Sequence, residues 1–163
     1  MGGYKKIVER GGNTKENRAD LLKDFILAAN YAGLAFGNAG CGAVHALSYA
    51  HGGAFHIPHG EANFICFTEV FKMYMRKQPV GKIQEANKIF CDVLGCDESV
   101  VYEELDAFLG KILEKKPLRE YGMTEDQVRP FAKSTIDNQQ RLLANNYVEL
   151  SEDEVAEIFQ NLY

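Results

Sequence analysis

The sequence predicts an all-α protein, a bundle-like domain of about seven helices. Apolar residues recur at three- and four-residue spacing along most of its 163 residues, as they do on the buried face of a helix. Alternating β-branched runs joined by tight turns, the pattern of strands and hairpins, are absent. Two capping boxes, Thr124 to Gln127 and Ser151 to Glu154, mark helix starts in the second half of the chain.

The first third of the chain predicts one long helix after a polar segment. Residues 1–12 are polar and glycine-rich, which indicates an arm, and we place the end of this arm at residue 15. A helix then runs from about Thr14 to Phe36. Its second half, from Phe25 onward, is apolar on almost every face, so we expect this helix to be central and buried.

Two helices and a loop follow. The glycines between Asn38 and Gly42 break the chain, and a short helix is predicted from about Ala43 to Ala50. We interpret 52–58, which contain two glycines and a proline, as a loop. The next helix starts at His59 or Gly60 and reaches about Lys77, where Pro79 stops it.

The second half of the chain predicts four more helices. Gly95 closes the first of them, Asp97 can cap the second, and Pro117 stops the second. Pro130 belongs in the first turn of the third helix, where its missing N–H costs nothing. The spacing of the apolar residues predicts that these four helices span residues 83–93, 97–112, 130–143 and 151–162.

Composition excludes several classes of protein. A formal charge of −5 and a pI near 5.4, with Lys and Arg dispersed among acids, argue against binding to nucleic acid. No apolar run is long enough to span a bilayer, and the N-terminus lacks the apolar region of a secretory signal. Four cysteines without CxxC pairing indicate reduced thiols. We therefore expect a single domain in the cytoplasm, with no membrane partner.

All four histidines lie within fifteen residues, at His45, His51, His56 and His59. Neutral imidazole is the commonest protein ligand for transition metals. His45 and His59 sit on successive predicted helices joined by a reversing loop, an arrangement that builds half of a metal site. For His51 and His56 we favour exposed loop residues over residues lining a polar pocket near the metal.

The other metal ligands are missing from this pattern. A catalytic metal usually has three or four protein ligands and an open position. The nearest acids are Glu61 and Glu69, and Glu61 follows His59 by two positions, so it points elsewhere on a helix. The residues alone leave metal binding by His45 and His59 about as plausible as an ordinary structural role.

Two segments give the chain a family resemblance: FGNAGCGAVH over residues 36–45 and PHGEAN over residues 58–63. With the fourteen-residue step between His45 and His59, they resemble the metal-binding signature of the iron-containing alcohol dehydrogenases. The likeness extends through PLREYG at 117–122 and Asn145-Asn146, and covers about residues 16–163. Within this family, residues 47–49 and 60–63 are most similar to the 4-hydroxybutyrate dehydrogenases.

The resemblance implies a two-domain enzyme of which this chain is the all-helical C-terminal part, with a fold like the C-terminal domain of dehydroquinate synthase. Residues 16–163 would carry the metal ligands His45 and His59, for Fe²⁺ or Zn²⁺. An N-terminal NAD(P)-binding domain, absent here, would provide an Asp and a His as the other ligands. The complete enzyme would interconvert a small primary alcohol and its aldehyde, with 4-hydroxybutyrate a candidate substrate.

The same resemblance predicts how the isolated chain behaves. It would bind no NAD(P) and be inactive alone, and the surface that faces the other domain would favour a homo-oligomer. Many family members have a further histidine four residues after the first ligand, where this chain has Tyr49. The proton relay assigned to that histidine is therefore open here, and Tyr49, His51 or His56 could replace it.

Three other functions fit part of the pattern. Glycerol dehydrogenases and dehydroquinate synthases share the second histidine motif, although their histidines are usually further apart. A non-enzymatic helical interaction module would explain the helices but leave the histidine cluster without a role. A stand-alone metal-binding or storage protein would have to complete its own metal site, for instance across a dimer.

Overall fold

The computed structural model describes all 163 residues, and its regular secondary structure is helical throughout, with no strand. The all-α prediction is therefore confirmed. The helices are α1 (Gly2–Glu9), α2 (Lys15–Arg18), α3 (Leu22–Ala39), α4 (Ala43–Phe55), α5 (His59–Lys77), α6 (Lys82–Leu94), α7 (Val101–Gly110), α8 (Val128–Asn138), α9 (Gln140–Leu143) and α10 (Glu152–Leu162). Short 3₁₀ turns occupy Ala19–Leu21, Glu98–Val100, Leu118–Tyr121 and Glu125–Gln127.

Helix boundaries follow local signals where those signals are strong. Both predicted capping boxes form, with Ser151 accepting a hydrogen bond from the Glu154 amide at 3.2 Å and the Glu154 carboxylate accepting one from the Ser151 amide at 2.8 Å. Pro130 lies in the first turn of α8. Gly95 ends α6 in the left-handed region, at φ 72°. These elements confirm the predicted starts and stops to within a few residues.

The chain forms two compact units, each made of two segments. Unit 1 contains residues 1–39 and 84–114, and unit 2 contains residues 40–83 and 115–163. This grouping does not divide the chain at residue 15. The polar arm of residues 1–15 and the metal-binding domain of residues 16–163 stay predictions.

Unit 2 has a dense apolar core between α4, α5, α8 and α10. Its fully buried side chains come from all four helices and from the turn after Pro117: Leu47, Ile65, Val70, Leu118, Ala132, Val155 and Phe159. Phe159 packs edge-on against His51 and beside Phe131. The core thus holds in place the two helices that carry the histidine cluster.

Unit 1 contradicts the prediction that the helix of residues 14–36 is central and buried. The segment is helical, but α3 contains no buried residue, and Ile26 is 70% exposed. Its large apolar side chains face solvent: Leu22, Ile26, Leu27, Tyr31, Leu34 and Phe36. A helix buries its apolar side chains only where another element packs on them, and the sequence pattern carries no information on that element.

The predicted polar arm contains helix α1. Ile7 is buried, and the Tyr4 ring lies 5.3 Å from the Phe25 ring of α3. These two apolar residues, three positions apart, give α1 one apolar face among its polar residues. No helix in the protein combines the length and the apolar content that a membrane crossing requires.

Candidate metal-binding site

Helix α4 positions the first histidine, and a side chain from far along the sequence fixes its start. The amide of Ala43, the first residue of α4, donates a hydrogen bond to the Asn146 side-chain oxygen at 2.9 Å. The same oxygen accepts from the Tyr74 hydroxyl, while the Asn146 amide donates to the Val148 carbonyl at 2.8 Å. Asn146 therefore satisfies a helix N-terminus that has no side-chain cap of its own.

The approach of Asn146 requires glycine before the helix. A Cβ atom built on Gly42 would lie 2.7 Å from the Asn146 side-chain oxygen. Gly40 adopts φ 76°, a left-handed conformation that glycine tolerates best. The glycines of residues 40–42 thus admit the asparagine that holds the start of α4, and His45 follows within the first turn.

Helix α4 continues to Phe55, so the prediction of a helix ending near Ala50 and a loop over residues 52–58 is wrong. A Cβ atom on Gly52 would lie 3.2 Å from the Ala62 Cβ of α5, so Gly52 lets the two helices approach closely. The helix ends at His56, which adopts φ 55°, and the Ile57 amide bonds back to the Gly52 carbonyl at 3.1 Å. Here packing against α5 outweighs the low helix propensity of two glycines.

The structure brings His45 and His59 together. Their ring centroids are 5.3 Å apart, and the Tyr49 ring lies 6.0 Å from His59 and 6.4 Å from His45. His45 is half-buried, whereas His59 and Tyr49 are exposed. Partial burial, and to a lesser extent the neighbouring His59, lower the pKa of His45, which keeps its imidazole neutral at physiological pH.

Asn63 supports the second histidine. Its side-chain nitrogen lies 3.0 Å from Nε2 of His59, one helical turn away on α5. The other end of the same amide, Oδ1, is buried and has no hydrogen-bond partner in the structure. One end of the Asn63 amide is thus buried without a partner close to His59, and a further polar group there would satisfy it.

His51 is not the exposed loop residue that we predicted. It lies on α4, is 0% exposed, and its Nε2 is 3.2 Å from the Ala62 carbonyl oxygen. Its ring contacts Phe159 and the Cys66 sulfur, so it faces the core of unit 2. Burial lowers its pKa. His56 is exposed at the end of α4, as predicted.

Two histidines fit one half of a metal coordination set. Neutral imidazoles at this spacing are suitable donors for a divalent transition metal. No third His, Cys, Asp or Glu joins them within residues 1–163. Glu61 accepts a hydrogen bond from the Tyr121 hydroxyl at 2.5 Å, and Glu69 pairs with Lys72 at 2.8 Å, so both nearby acids are engaged elsewhere.

A cavity lies beside Tyr49, and neither His45 nor His59 lines it. Its volume is about 340 Å³, and Tyr49 and Gly53 of α4 line it opposite Ser134 and Asn138 of α8. The lining offers hydroxyl and amide groups but no charged side chain. The sequence did not identify Ser134 and Asn138 of α8 as cavity residues, because polar residues four positions apart on a helix usually indicate a solvent-exposed face. It also missed the structural role of Asn146, which the sequence signals only as part of the family resemblance.

The chain is similar to known proteins along nearly its whole length. The family described as the C-terminal part of the Fe-containing alcohol dehydrogenases matches residues 2–163. The chain is 50% identical over its full length to a 4-hydroxybutyrate dehydrogenase of Clostridium kluyveri, of which it covers 43%. It is 32% identical over 91% of its length to long-chain-alcohol dehydrogenase 1 of Geobacillus thermodenitrificans, of which it covers 38%.

The chain therefore spans less than half the length of these two relatives. No solved structure matches it. The family match extends over nearly all of its residues, including the two histidines brought together by α4 and α5. The chain belongs to the Fe-containing alcohol dehydrogenase family, as a C-terminal domain of that family.

Proposed function

We propose that this chain supplies two metal ligands, His45 and His59, to an NAD(P)-dependent alcohol dehydrogenase that interconverts a primary alcohol and its aldehyde. The 5.3 Å separation of the two rings is the observation that carries the proposal. The family match and the identity to a 4-hydroxybutyrate dehydrogenase support the reaction class. A nucleotide-binding domain outside residues 1–163 supplies the remaining ligands and the cofactor site.

A metal held by these residues would supply Lewis-acid polarisation of the alcohol or aldehyde oxygen, and a bound nicotinamide would give or accept the hydride at the carbon that bears this oxygen. This chain's own residues prepare that chemistry. The lowered pKa of His45 leaves its imidazole unprotonated and available as a donor. The Asn63 amide engages Nε2 of His59 at 3.0 Å, so Nδ1 is the ring nitrogen that would hold the metal, and this requires the amide oxygen to accept the Nε2–H.

The cavity beside Tyr49 is the proposed place for the rest of the substrate. Tyr49 lines this cavity, and its ring lies 6.0 Å from His59 and 6.4 Å from His45. A volume of about 340 Å³ suits a short substrate chain. Its hydroxyl and amide lining favours a polar substrate over a long alkyl chain. No charged side chain lines the cavity. A positively charged group that binds the carboxylate of 4-hydroxybutyrate would therefore have to come from outside the cavity lining.

Metal binding tests the ligand assignment without any need for catalysis. Zn²⁺ is titrated into the 163-residue chain by calorimetry, and Co²⁺ binding is followed by its visible absorption spectrum. We expect weak binding that His45→Ala and His59→Ala each reduce by about tenfold or more, because each removes one of two donors. The matched control is His56→Asn, which removes an exposed histidine of the same cluster at a left-handed position that asparagine tolerates.

Equal loss of binding in His56→Asn and His45→Ala would contradict the ligand assignment. Tight stoichiometric binding that survives both alanine variants would favour a self-contained metal-binding protein.

A second experiment tests the reaction. The chain is fused to the N-terminal part of the Clostridium kluyveri relative, and NADH formation is measured with 4-hydroxybutyrate and with 1-butanol. We expect activity in the fusion, no activity in the chain alone, and loss of fusion activity in His45→Ala.

A further inference from the structure

The end of helix α6, in unit 1, brings two cysteines together. The amides of Gly95 and Cys96 both point at the Cys91 carbonyl oxygen, at 2.7 Å and 3.4 Å. Gly95 makes this termination possible with φ 72°. In such a left-handed helix end, the residue two positions after the last helical residue packs on the residue in the last helical turn. Here these two residues are Cys96 and Cys91.

Both cysteines are partly exposed and free of disulfides. The turn that directs the Cys96 amide at the Cys91 carbonyl oxygen places the two residues side by side at the end of α6. Cys66, in contrast, is completely buried in the core of unit 2. A disulfide requires two cysteines whose backbones lie close together, and this helix end provides that closeness.

We propose that Cys91 and Cys96 form a dithiol modification site, which hydrogen peroxide converts reversibly to an intramolecular disulfide. One thiolate attacks a peroxide oxygen, the O–O bond breaks, and the sulfur becomes a sulfenic acid as the first water leaves. The second thiol attacks that sulfur, the S–S bond forms, and the second water leaves. Two sulfurs lose two electrons, the peroxide gains them, and both thiol protons end in water.

The surroundings of the pair set the rate of this reaction. Partial burial raises the pKa of Cys91, and the neighbouring Cys96, Glu98 and Asp92 raise it further. Because the thiolate is the reacting form, oxidation is slow at neutral pH and accelerates as the pH rises.

Peptide mass spectrometry tests the proposal on the full chain. The protein is treated with dilute hydrogen peroxide at about pH 8.5, alkylated and digested with trypsin, which leaves both cysteines in one peptide, residues 89–111. We expect this peptide to resist alkylation and to weigh about 2 Da less than its reduced form, and dithiothreitol to reverse the change. Cys41→Ser, which keeps the pair, is the matched control and behaves like the wild type.

Cys96→Ser removes the resolving thiol, so the 2 Da loss disappears and Cys91 instead gains oxygen. Three results would overturn the proposal. In the first, the wild-type peptide gains oxygen without losing two hydrogens. In the second, disulfide-linked dimers form in place of the internal bond. In the third, both thiols stay fully alkylated after a treatment that oxidises free cysteine.

Discussion

Helices α3 and α4 are both rich in apolar residues, yet only α4 is buried. Helix α3 has no Asp, Glu, Lys or Arg after Asp24, and helix α4 has none at all. Helix α4 buries five residues, including Leu47 and His51, whereas α3 buries none. Apolar content therefore predicts that a segment will be helical, but the burial of the helix depends on what packs against it.

Small residues show the same difference. In α4, Gly52 faces the Ala62 Cβ of α5, and because glycine has no side chain the two helices can pack closely there. In α3, a Cβ atom on Gly37 would have nothing within 4 Å, and one on Gly33 would meet only Phe36 of the same helix. Small residues allow close packing without enforcing it, so similar Gly- and Ala-rich stretches reach different outcomes.

A matched pair of leucines gives the largest test of this comparison. Leu47 is 0% exposed on α4, and Leu34 is 59% exposed on α3. We expect Leu47→Ala to lower the free energy of unfolding by about 3–5 kcal/mol, because it removes a core side chain and leaves a cavity. The measurement is urea unfolding followed by circular dichroism.

Leu34→Ala is the control for that experiment, with an expected change below about 0.5 kcal/mol. A loss in Leu34→Ala comparable with that in Leu47→Ala would show that α3 is packed in solution. Sedimentation of both variants at several concentrations would then reveal whether a second copy of the chain covers the α3 face.

The second prediction concerns the residue that anchors α4. Asn146→Ala removes an acceptor for the Ala43 amide and the Tyr74 hydroxyl and a donor to Val148. We expect a loss of about 2–3 kcal/mol, because buried polar groups lose their partners. Asn138→Ala, on the exposed side of α8, is the control and should have little effect. An Asn146→Ala variant as stable as the wild type would mean that α4 needs no support from this residue.

The third and smallest effect is a pH dependence of stability that comes from the buried His51. Burial lowers the pKa of His51 in the folded protein, while in the unfolded chain it titrates near about 6.5. Below that pH the unfolded chain takes up the proton first, so the free energy of unfolding falls with falling pH. The contribution is at most about 1.4 kcal/mol per pH unit.

His51→Gln should reduce this slope below about pH 6.5. Chemical unfolding at a series of pH values measures the slope. Half-buried His45, whose pKa is also lowered, contributes to the same window, so the residual slope in His51→Gln should fall further in the His45→Ala background. If the slope is the same in His51→Gln as in the wild type, other titrating groups cause the pH dependence of the free energy of unfolding.

Local signals made much of the fold predictable. The boxes at Thr124 and Ser151, the glycine at position 95 and the proline at position 130 act through their own backbone and nearest neighbours, and each ends or starts a helix as expected. The proximity of His45 and His59 was predictable for a related reason: a reversing connection of a few residues keeps the two histidines close in space.

The errors all concern contacts between distant residues. His51 was assigned to a loop because two glycines follow it, and the Gly52–Ala62 contact that keeps this segment helical is a property of α5. Asn146 lies about a hundred positions from the helix that it anchors, so no local pattern identified its role. The α8 face of the cavity was missed because its polar residues are also typical of a solvated surface.

The sequence by itself determined that this protein is helical, where most of its helices begin and end, and that His45 and His59 are its candidate metal ligands. Those properties follow from backbone propensity, capping and residue chemistry, which act within a few positions. Only the tertiary structure decided that α4 and α5 pack closely, that His51 is a core residue and that the apolar face of α3 is exposed. Burial depends on which surfaces meet, and that is a property of the folded chain as a whole.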